Sequence, residues 1–341
     1  VPALAVAHAL RAEGAEVAFI GGARAEAQLV PQGGFALHAI PAQGLSRRNP
    51  LRALTALARA ALATVHAWRI LRALAPDAVM GAGGYVAGPV VLAALARRAP
   101  VLLTEADSRL GLTNRLLAPF ARRVCLSFPP RERERARGSG KYVVTGRPIP
   151  VPLQERASAR AQLGLSDGEP LVLVFGGSLG ARSINEAAVE AFAASAFRVL
   201  HVCGHRDFES LSVRDLREGY ELAAYLDVED FARALAAADL VVARAGGSVF
   251  EIAAYGAPAV LVPYPHAAGD HQSANARWMS DGGAAVTIPD GELTAQRLRE
   301  EVAALLGDRE RLAAMARASR ALARPRAAFD VAHELLELAR R

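Results

Sequence analysis

Leu171-Val-Leu-Val-Phe-Gly-Gly-Ser-Leu-Gly-Ala-Arg182 is the stretch on which the fold turns. Five apolar residues run into Gly176 and Gly177, a third glycine follows at Gly180, and Arg182-Ser-Ile-Asn-Glu-Ala-Ala-Val-Glu-Ala-Phe192 then spaces its apolar residues as an amphipathic helix does. Strand, glycine turn and helix follow one another. Such a turn aims unpaired N–H groups and the positive end of the helix dipole at one point, and glycines let a ligand approach the main chain. A phosphate group is the expected occupant. The glycine spacing is not that of the dinucleotide fingerprint, and no Lys-Ser/Thr pair follows as in a Walker loop. A tight turn without a ligand is the competing reading of this stretch taken alone.

The pattern recurs in both directions. Downstream, strands are expected at 199–203, 240–243, 259–262 and 285–288 with helices between them, and three helical stretches, near 294–306, 308–323 and 326–340, close the chain. Upstream, a helix over Ala3–Arg11 leads to strands at 16–22, 35–40, 78–80, 101–104, 124–128 and 142–145, separated by helices of which 50–74 is the longest. Continuous apolar strands alternating with helices imply parallel sheets covered on both faces. Pro148-Ile-Pro-Val-Pro152 has few backbone donors and divides the two series. The expected architecture is α/β: two tandem doubly wound, Rossmann-like domains with an interdomain cleft. The first spans 1–147, the linker 148–152 and the second 153–325, while a final helix, 326–341, is free to pack back on the first domain.

The chain has 341 residues, 52% of them hydrophobic, enough for two cores. No window reaches the roughly 18–20 uninterrupted apolar residues of a membrane span. No secretory signal is visible, although Val1 in place of Met implies that residues precede it. The two cysteines, Cys125 and Cys203, lie far apart in expected strands and read as buried thiols of a reduced interior. The net charge of +6 hides an asymmetry: residues 1–150 hold 20 Lys and Arg against 8 Asp and Glu, and residues 151–341 hold 20 against 26. A basic first half attracts nucleic acid or anionic membrane. No RNA- or DNA-binding motif accompanies it, so no nucleic-acid partner is expected and a membrane surface or anionic lipid substrate is preferred; an ordinary arginine-rich surface is the alternative.

Three further stretches carry candidate chemistry. Met80-Gly-Ala-Gly-Gly-Tyr-Val-Ala-Gly-Pro-Val90 is a second strand-glycine-helix junction, on the basic half, that reads as an anion-binding or a packing turn. Ala243-Arg-Ala-Gly-Gly-Ser-Val-Phe-Glu251 is a third, and Glu251 at the start of its helix either binds ribose hydroxyls or compensates the helix dipole. After the next apolar strand, His266, Asp270, His271, Gln272 and Asn275 crowd one junction, where amide and imidazole groups read sugar hydroxyls. Their spacing matches no zinc template. No recognisable Cys-His pair is present. Glu105 and Asp107, at a strand's carboxyl end, read as general base or helix cap.

In order and spacing these stretches resemble the lipid I N-acetylglucosaminyltransferase (MurG) family, two-domain GT-B glycosyltransferases of bacterial cell-wall synthesis. The likeness covers essentially the whole chain through Pro2-Ala-Leu-Ala-Val-Ala7, Gly83-Gly-Tyr-Val-Ala-Gly-Pro89, Gly111-Leu-Thr-Asn114, Gly176-Gly-Ser-Leu-Gly-Ala181, Arg244-Ala-Gly246, Glu251 and His271-Gln-Ser-Ala-Asn275. It implies inverting transfer of N-acetylglucosamine from UDP-N-acetylglucosamine to the muramyl 4-hydroxyl of lipid I, with no metal or other cofactor. The donor would meet Asp107, Gly177, Ser178, Leu226, Gly247, Ser248, Glu251, His271 and Gln272; the acceptor would meet Gly83, Gly84 and Tyr85. The basic half would dock peripherally on the anionic inner leaflet, on the cytoplasmic side, near proteins of cell-wall synthesis and division.

The sequence departs from the family at three positions: Asp107 stands for the usual Asn, Leu179 for Gln, and Pro150 for an Arg, with Arg147 close by. The family's glycine loop ending in His, given an acceptor-side or base role, would precede Val1, which leaves Glu105 and Asp107 as the catalytic candidates within the chain. The rival readings are a related GT-B transferase with another acceptor, a UDP-N-acetylglucosamine epimerase, and a non-catalytic scaffold that binds nucleotide sugar.

Overall fold

The computed structural model describes residues 2–22, 25–41, 50–129, 140–150, 154–177 and 180–340, with the backbone alone at 25, 50–57, 85 and 268. Two compact units are present: Val1–Ile149 together with Pro325–Arg341, and Pro150–Arg324. The proline-rich segment straddles the division, and its residues 151 and 152 lie outside the described ones.

The first unit runs α1 (Pro2–Ala12), β1 (Ala18–Gly21), α2 (Ala25–Gln32), β2 (Ala36–Ala39), α3 (Pro50–Leu74), β3 (Val79–Gly81), α4 (Gly84–Ala96), β4 (Val101–Glu105), α5 (Leu112–Leu117), β5 (Arg123–Leu126) and β6 (Tyr142–Val144). Strands β3-β4-β5-β6 form one parallel sheet and β1-β2 a separate parallel pair. The alternation of a strand explains the layers, because successive side chains of β4 point to opposite faces. Val101 and Leu103 enter a core with Ala63, Ala67, Val90 and Ala94 of α3 and α4, whereas Leu102 joins α1 and the C-terminal helix through Val6, Leu10, Val331 and Leu335. That last helix, Ala327–Ala339, thus packs within the first unit, where Glu334 accepts a hydrogen bond from Arg123 Nε at 2.8 Å. Cys125 is buried on the same side and its thiol is pushed up to about 12, mainly by desolvation, so it is an inert core group.

The second unit runs α6 (Arg156–Gln162), β7 (Leu171–Phe175), α7 (Arg182–Ala191), β8 (Arg198–Val202), α8 (His205–Ser212), β9 (Tyr220–Ala223), α9 (Val228–Ala237), β10 (Leu240–Ala243), α10 (Val249–Tyr255), β11 (Ala259–Leu261), α11 (His271–Asp281), β12 (Ala285–Thr287), α12 (Ala295–Gly307) and α13 (Arg309–Leu322). Its six strands, all parallel, lie in the order β9-β8-β7-β10-β11-β12. The chain enters at the centre, winds outward through β8 and β9, then crosses back to β10. The crossing makes β7 and β10 a topological switch point, the place in such sheets where ligands bind beyond the carboxyl ends of the strands. All five residues of β7 are buried, the burial an apolar run between two helical layers demands; each of these side chains contributes about 1.5–3 kcal/mol.

One carboxylate holds the amino-terminal edge of this sheet. Asp239 accepts from Arg156 Nη2 at 2.6 Å, from Arg160 Nη1 at 3.1 Å and from the Leu171 amide at 2.8 Å, so it ties α6 to the first residue of β7. Replacing Asp239 with Ala leaves the amide and the largely buried Arg160 without this partner. The expected loss of unfolding free energy is about 2 kcal/mol, readable as a lowered denaturant midpoint at unchanged slope.

Candidate functional site

The site in the second unit follows from strand register. Phe175 is paired with Ala243 and Ala243 with Leu261, so β7, β10 and β11 end in one row. The turns that leave them, at Gly176, Arg244 and Val262, therefore emerge side by side. Gly176 is required because a Cβ there would lie 2.3 Å from the Ala181 nitrogen, a closeness only glycine permits. The chain re-enters helix at α7, whose N-cap is Ala181 and whose first amides receive no side-chain cap. Amides at the start of a ten-residue helix that the N-cap side chain does not reach, with the dipole behind them, are suited to an anion. Gly177 stands in this turn; Ser178 and the family departure Leu179 lie outside the described residues.

A buried polar network supports the turn from below. Asn185 Nδ2 donates to the Cys203 carbonyl and to Asp207 Oδ2, both at 2.9 Å, and Asn185 Oδ1 faces His201 Nε2 at 3.1 Å. His201 Nδ1 meets the Tyr220 hydroxyl at 2.8 Å. Both partners of the Asn185 amide nitrogen are pure acceptors, which fixes the amide orientation and makes His201 Nε2 the protonated nitrogen; Tyr220 then donates to Nδ1. Asp207 is held below the usual carboxylate range, chiefly by the hydrogen bonds from Arg206, with Arg182 and Asn185 adding to it. The guanidinium groups of Arg206 and Arg182 are anchored on Asp207, and Arg182 is the first residue of α7.

Glu251 lies in the first turn of α10, after Gly247 and Ser248. His271 opens α11 and Gln272 follows; Gln272 Oε1 accepts from the Tyr264 amide at 2.9 Å, which folds the β11 segment over the start of the helix. Asn275, buried, donates to the Ala245 carbonyl at 2.9 Å and holds the β10 turn. Leu226 lies between β9 and α9 on the same edge of the sheet, half-buried, next to Tyr225, whose ring stacks on His205 with centroids 6.0 Å apart.

Sequence reasoning missed the group that joins these turns. Arg244 Nη1 donates to Asp290 Oδ1 at 2.6 Å and to the Val262 carbonyl at 3.2 Å, while Nη2 donates to Ser183 Oγ at 2.8 Å. Ser183 Oγ in turn donates to Asp290 Oδ1 at 2.7 Å. Arg244 showed in the sequence as a charged residue closing an apolar strand and as part of the family-like Arg244-Ala-Gly246, neither of which gave it a partner, and Asp290 carries no signal.

In the first unit, Gly81 is paired with Leu103, so the turn bearing Gly83, Gly84 and Tyr85 emerges beside the end of β4, where Glu105 and Asp107 lie. Glu105 is buried, and its carboxylate accepts from the Asp107 amide at 3.1 Å, the Gly111 amide at 2.7 Å and Asn114 Nδ2 at 2.9 Å. With those donors in place Glu105 anchors the 106–111 turn, and Asp107 is the exposed carboxylate of the pair.

The chain matches the glycosyltransferase family 28 N-terminal domain over residues 1–126 and the C-terminal domain of that family over 171–331. A protein of Moorella thermoacetica named UDP-N-acetylglucosamine–N-acetylmuramyl-(pentapeptide) pyrophosphoryl-undecaprenol N-acetylglucosamine transferase is 43% identical, over 98% of this chain and 95% of its own. A protein of the same name from Rubrobacter xylanophilus is 42% identical over 98% of this chain and 99% of its own. The crystal structure of Acinetobacter baumannii MurG superposes with a TM-score of 0.78 at 32% identity, covering 98% of this chain and 95% of that one.

Proposed function

The chain belongs to glycosyltransferase family 28, and from that premise we infer that it is the transferase that moves N-acetylglucosamine from UDP-N-acetylglucosamine to undecaprenyl-diphospho-N-acetylmuramoyl-pentapeptide, converting lipid I to lipid II. The observation that carries this reading is likeness at about two residues in five along nearly the full length of relatives of that name.

We assign the donor to the second unit. The diphosphate takes the uncapped amides of α7 with Gly177 and Ser178, the uracil lies against the backbone of Leu226, the ribose is held by Glu251 beyond Gly247 and Ser248, and the sugar is read by His271 and Gln272. Asp107 and the turn of Gly83, Gly84 and Tyr85 serve the first unit's side of the reaction. The muramyl 4-hydroxyl attacks the anomeric carbon in line, its oxygen bonds to that carbon with inversion, the bond to the β-phosphate oxygen breaks, and the hydroxyl proton passes to a base. Negative charge grows on the departing UDP, where helix amides oriented in advance stabilise it without the need for a metal.

The lipid acceptor calls for a membrane surface, and exposed side chains of the first unit support docking there. On α5 and the turn after it, Leu112, Leu116 and Phe120 recur every four residues and are 50%, 62% and 68% exposed, with exposed Arg109, Arg115 and Arg122 beside them in sequence. On α3, Leu62, Val65 and Trp68 are also exposed, and Arg72 and Arg97 stand over the Trp68 ring. Apolar side chains among cations suit the interface of an anionic leaflet. Among the described residues no helix is long and apolar enough to cross a membrane. Peripheral attachment on the cytoplasmic side, near other proteins of cell-wall synthesis and division, is the arrangement we propose.

The test supplies UDP-[14C]N-acetylglucosamine to the chain with vesicles that contain lipid I, without added metal. Label extracted with the lipid, at a rate that rises with the fraction of anionic phospholipid, is the expected result. Free epimerised sugar, or label in the lipid only with a different acceptor, overturns the reading.

A further inference from the structure

We propose that Arg244 and Asp290 are positioning residues that set the distance between the turn that holds the donor diphosphate and the segment that reads its sugar. This rests on the assignment of the donor to the second unit. Three elements far apart in sequence meet at the pair. Ser183 belongs to α7, two residues beyond the glycine turn; Arg244 stands at the root of the β10 turn that leads to Glu251; and the Val262 carbonyl begins the segment that ends in His271 and Gln272. The guanidinium also lies 5.4 Å from the Tyr264 ring centroid, and the Tyr264 amide is the donor that fixes Gln272 Oε1. A planar fork with five N–H donors is suited to such a junction, since one side chain addresses a carboxylate, a hydroxyl and a carbonyl in fixed directions.

Stability alone does not account for the pair. The Arg244 side chain is 10% exposed and that of Asp290 22%, so both ions have lost most of their hydration. A desolvated ion pair gains little over apolar side chains of the same volume, which would close this end of the sheet as well. What apolar side chains lack is direction. The triangle of Arg244, Asp290 and Ser183 fixes where α7 begins relative to β11, and displacement of either end by a fraction of an ångström moves the phosphate amides against the sugar-reading groups.

The experiment compares wild type with Asp290→Ala, Asp290→Glu and Ser183→Ala in the transfer assay, varying UDP-N-acetylglucosamine and lipid I separately. For Asp290→Ala the Michaelis constant for the nucleotide sugar is expected to rise about tenfold and that for lipid I to stay within about twofold, with partial recovery in Asp290→Glu. Ser183→Ala removes one hydroxyl from the triangle and keeps the ion pair, so it folds whatever becomes of Asp290→Ala; its donor constant is expected to rise about threefold. A merely structural role lowers the melting temperature and the fraction of active enzyme, hence kcat, and leaves the donor constant unmoved. Folded variants with an unchanged donor constant, alongside a wild type that binds UDP-N-acetylglucosamine in a calorimeter, overturn the positioning role. A wild type that binds no UDP-sugar overturns the donor assignment with it.

Discussion

Gly180→Ala is expected to weaken UDP-N-acetylglucosamine binding by about a hundredfold or more, measured by calorimetric titration. Two constraints coincide at this residue. Its φ of +73° lies in the left-handed region, which costs an alanine about 1–2 kcal/mol. A Cβ would also lie 2.0 Å from the Cys203 carbonyl oxygen, inside any contact distance, and that oxygen is held in place because Cys203 follows β8 directly, its amide donates to the Ala223 carbonyl and its oxygen accepts from Asn185 Nδ2. The turn must therefore lift off the sheet, which carries the first amides of α7 away from the phosphate. Gly168→Ala separates the two causes: Gly168 has a φ of +78° on an exposed turn with no atom near its Cβ position. That variant is expected to lose about 1 kcal/mol of stability and to bind donor as wild type does. Equal loss of binding in both variants would assign the effect to backbone strain and remove the close approach from the explanation.

The contrast between these two glycines marks what a linear reading reaches. Leu171–Phe175 announced a strand because five apolar residues in a row suit only a strand covered on both faces, and the glycines after it announced a turn. Neither Gly168 nor Gly180 states which of them touches another strand. β9 escaped sequence reading because Tyr220-Glu-Leu-Ala is an edge strand of four residues with only Tyr220 buried, too short and too mixed to show a period. The order of the strands was not legible either, although it decides that the turns after β7, β10 and β11 stand together. The parallel pair β1-β2 and the sheet β3-β6 likewise form two hydrogen-bonded sheets where the alternation of strands and helices looked uniform.

Side-chain chemistry divides in the same way. The sequence offered Glu105 as base or cap, and it did not show that the amides of Asp107 and Gly111 meet its carboxylate. Ser183 and Asp290 are 107 residues apart, and no local pattern marks a pair of that separation. The residues legible in the sequence are those that a backbone turn or a family pattern requires. Those that hold one turn against another come from long-range packing.

Lowering the pH from 7 to 5 is expected to cost the second unit about 2 kcal/mol of stability through His201 alone. Its ring is fully buried, and desolvation lowers its pKa from 6.5 to about 4. The groups around it are the Tyr220 phenol, whose own pKa burial raises, the uncharged amide of Asn185 and, beyond that amide, Asp207, already paired with Arg206 and Arg182. None offers an anion directly to an imidazolium. An unfolded His201 takes up a proton as the pH falls through 6.5, whereas the folded ring stays neutral until about pH 4; protonation thus favours the unfolded chain across that window. The contribution is fully present above pH 6.5 and is lost progressively toward pH 4, for a total of about 3 kcal/mol. His201→Gln keeps a side-chain donor and acceptor but cannot titrate. Denaturant midpoints of both proteins at half-unit steps from pH 7.5 to 4.5 separate this residue from all other carboxylates and histidines, which the two chains share. The wild-type curve should fall more steeply than the variant's below pH 6.5. Parallel curves would mean that His201 takes up its proton in the folded state near its ordinary pKa, and that water reaches the network beneath the glycine turn.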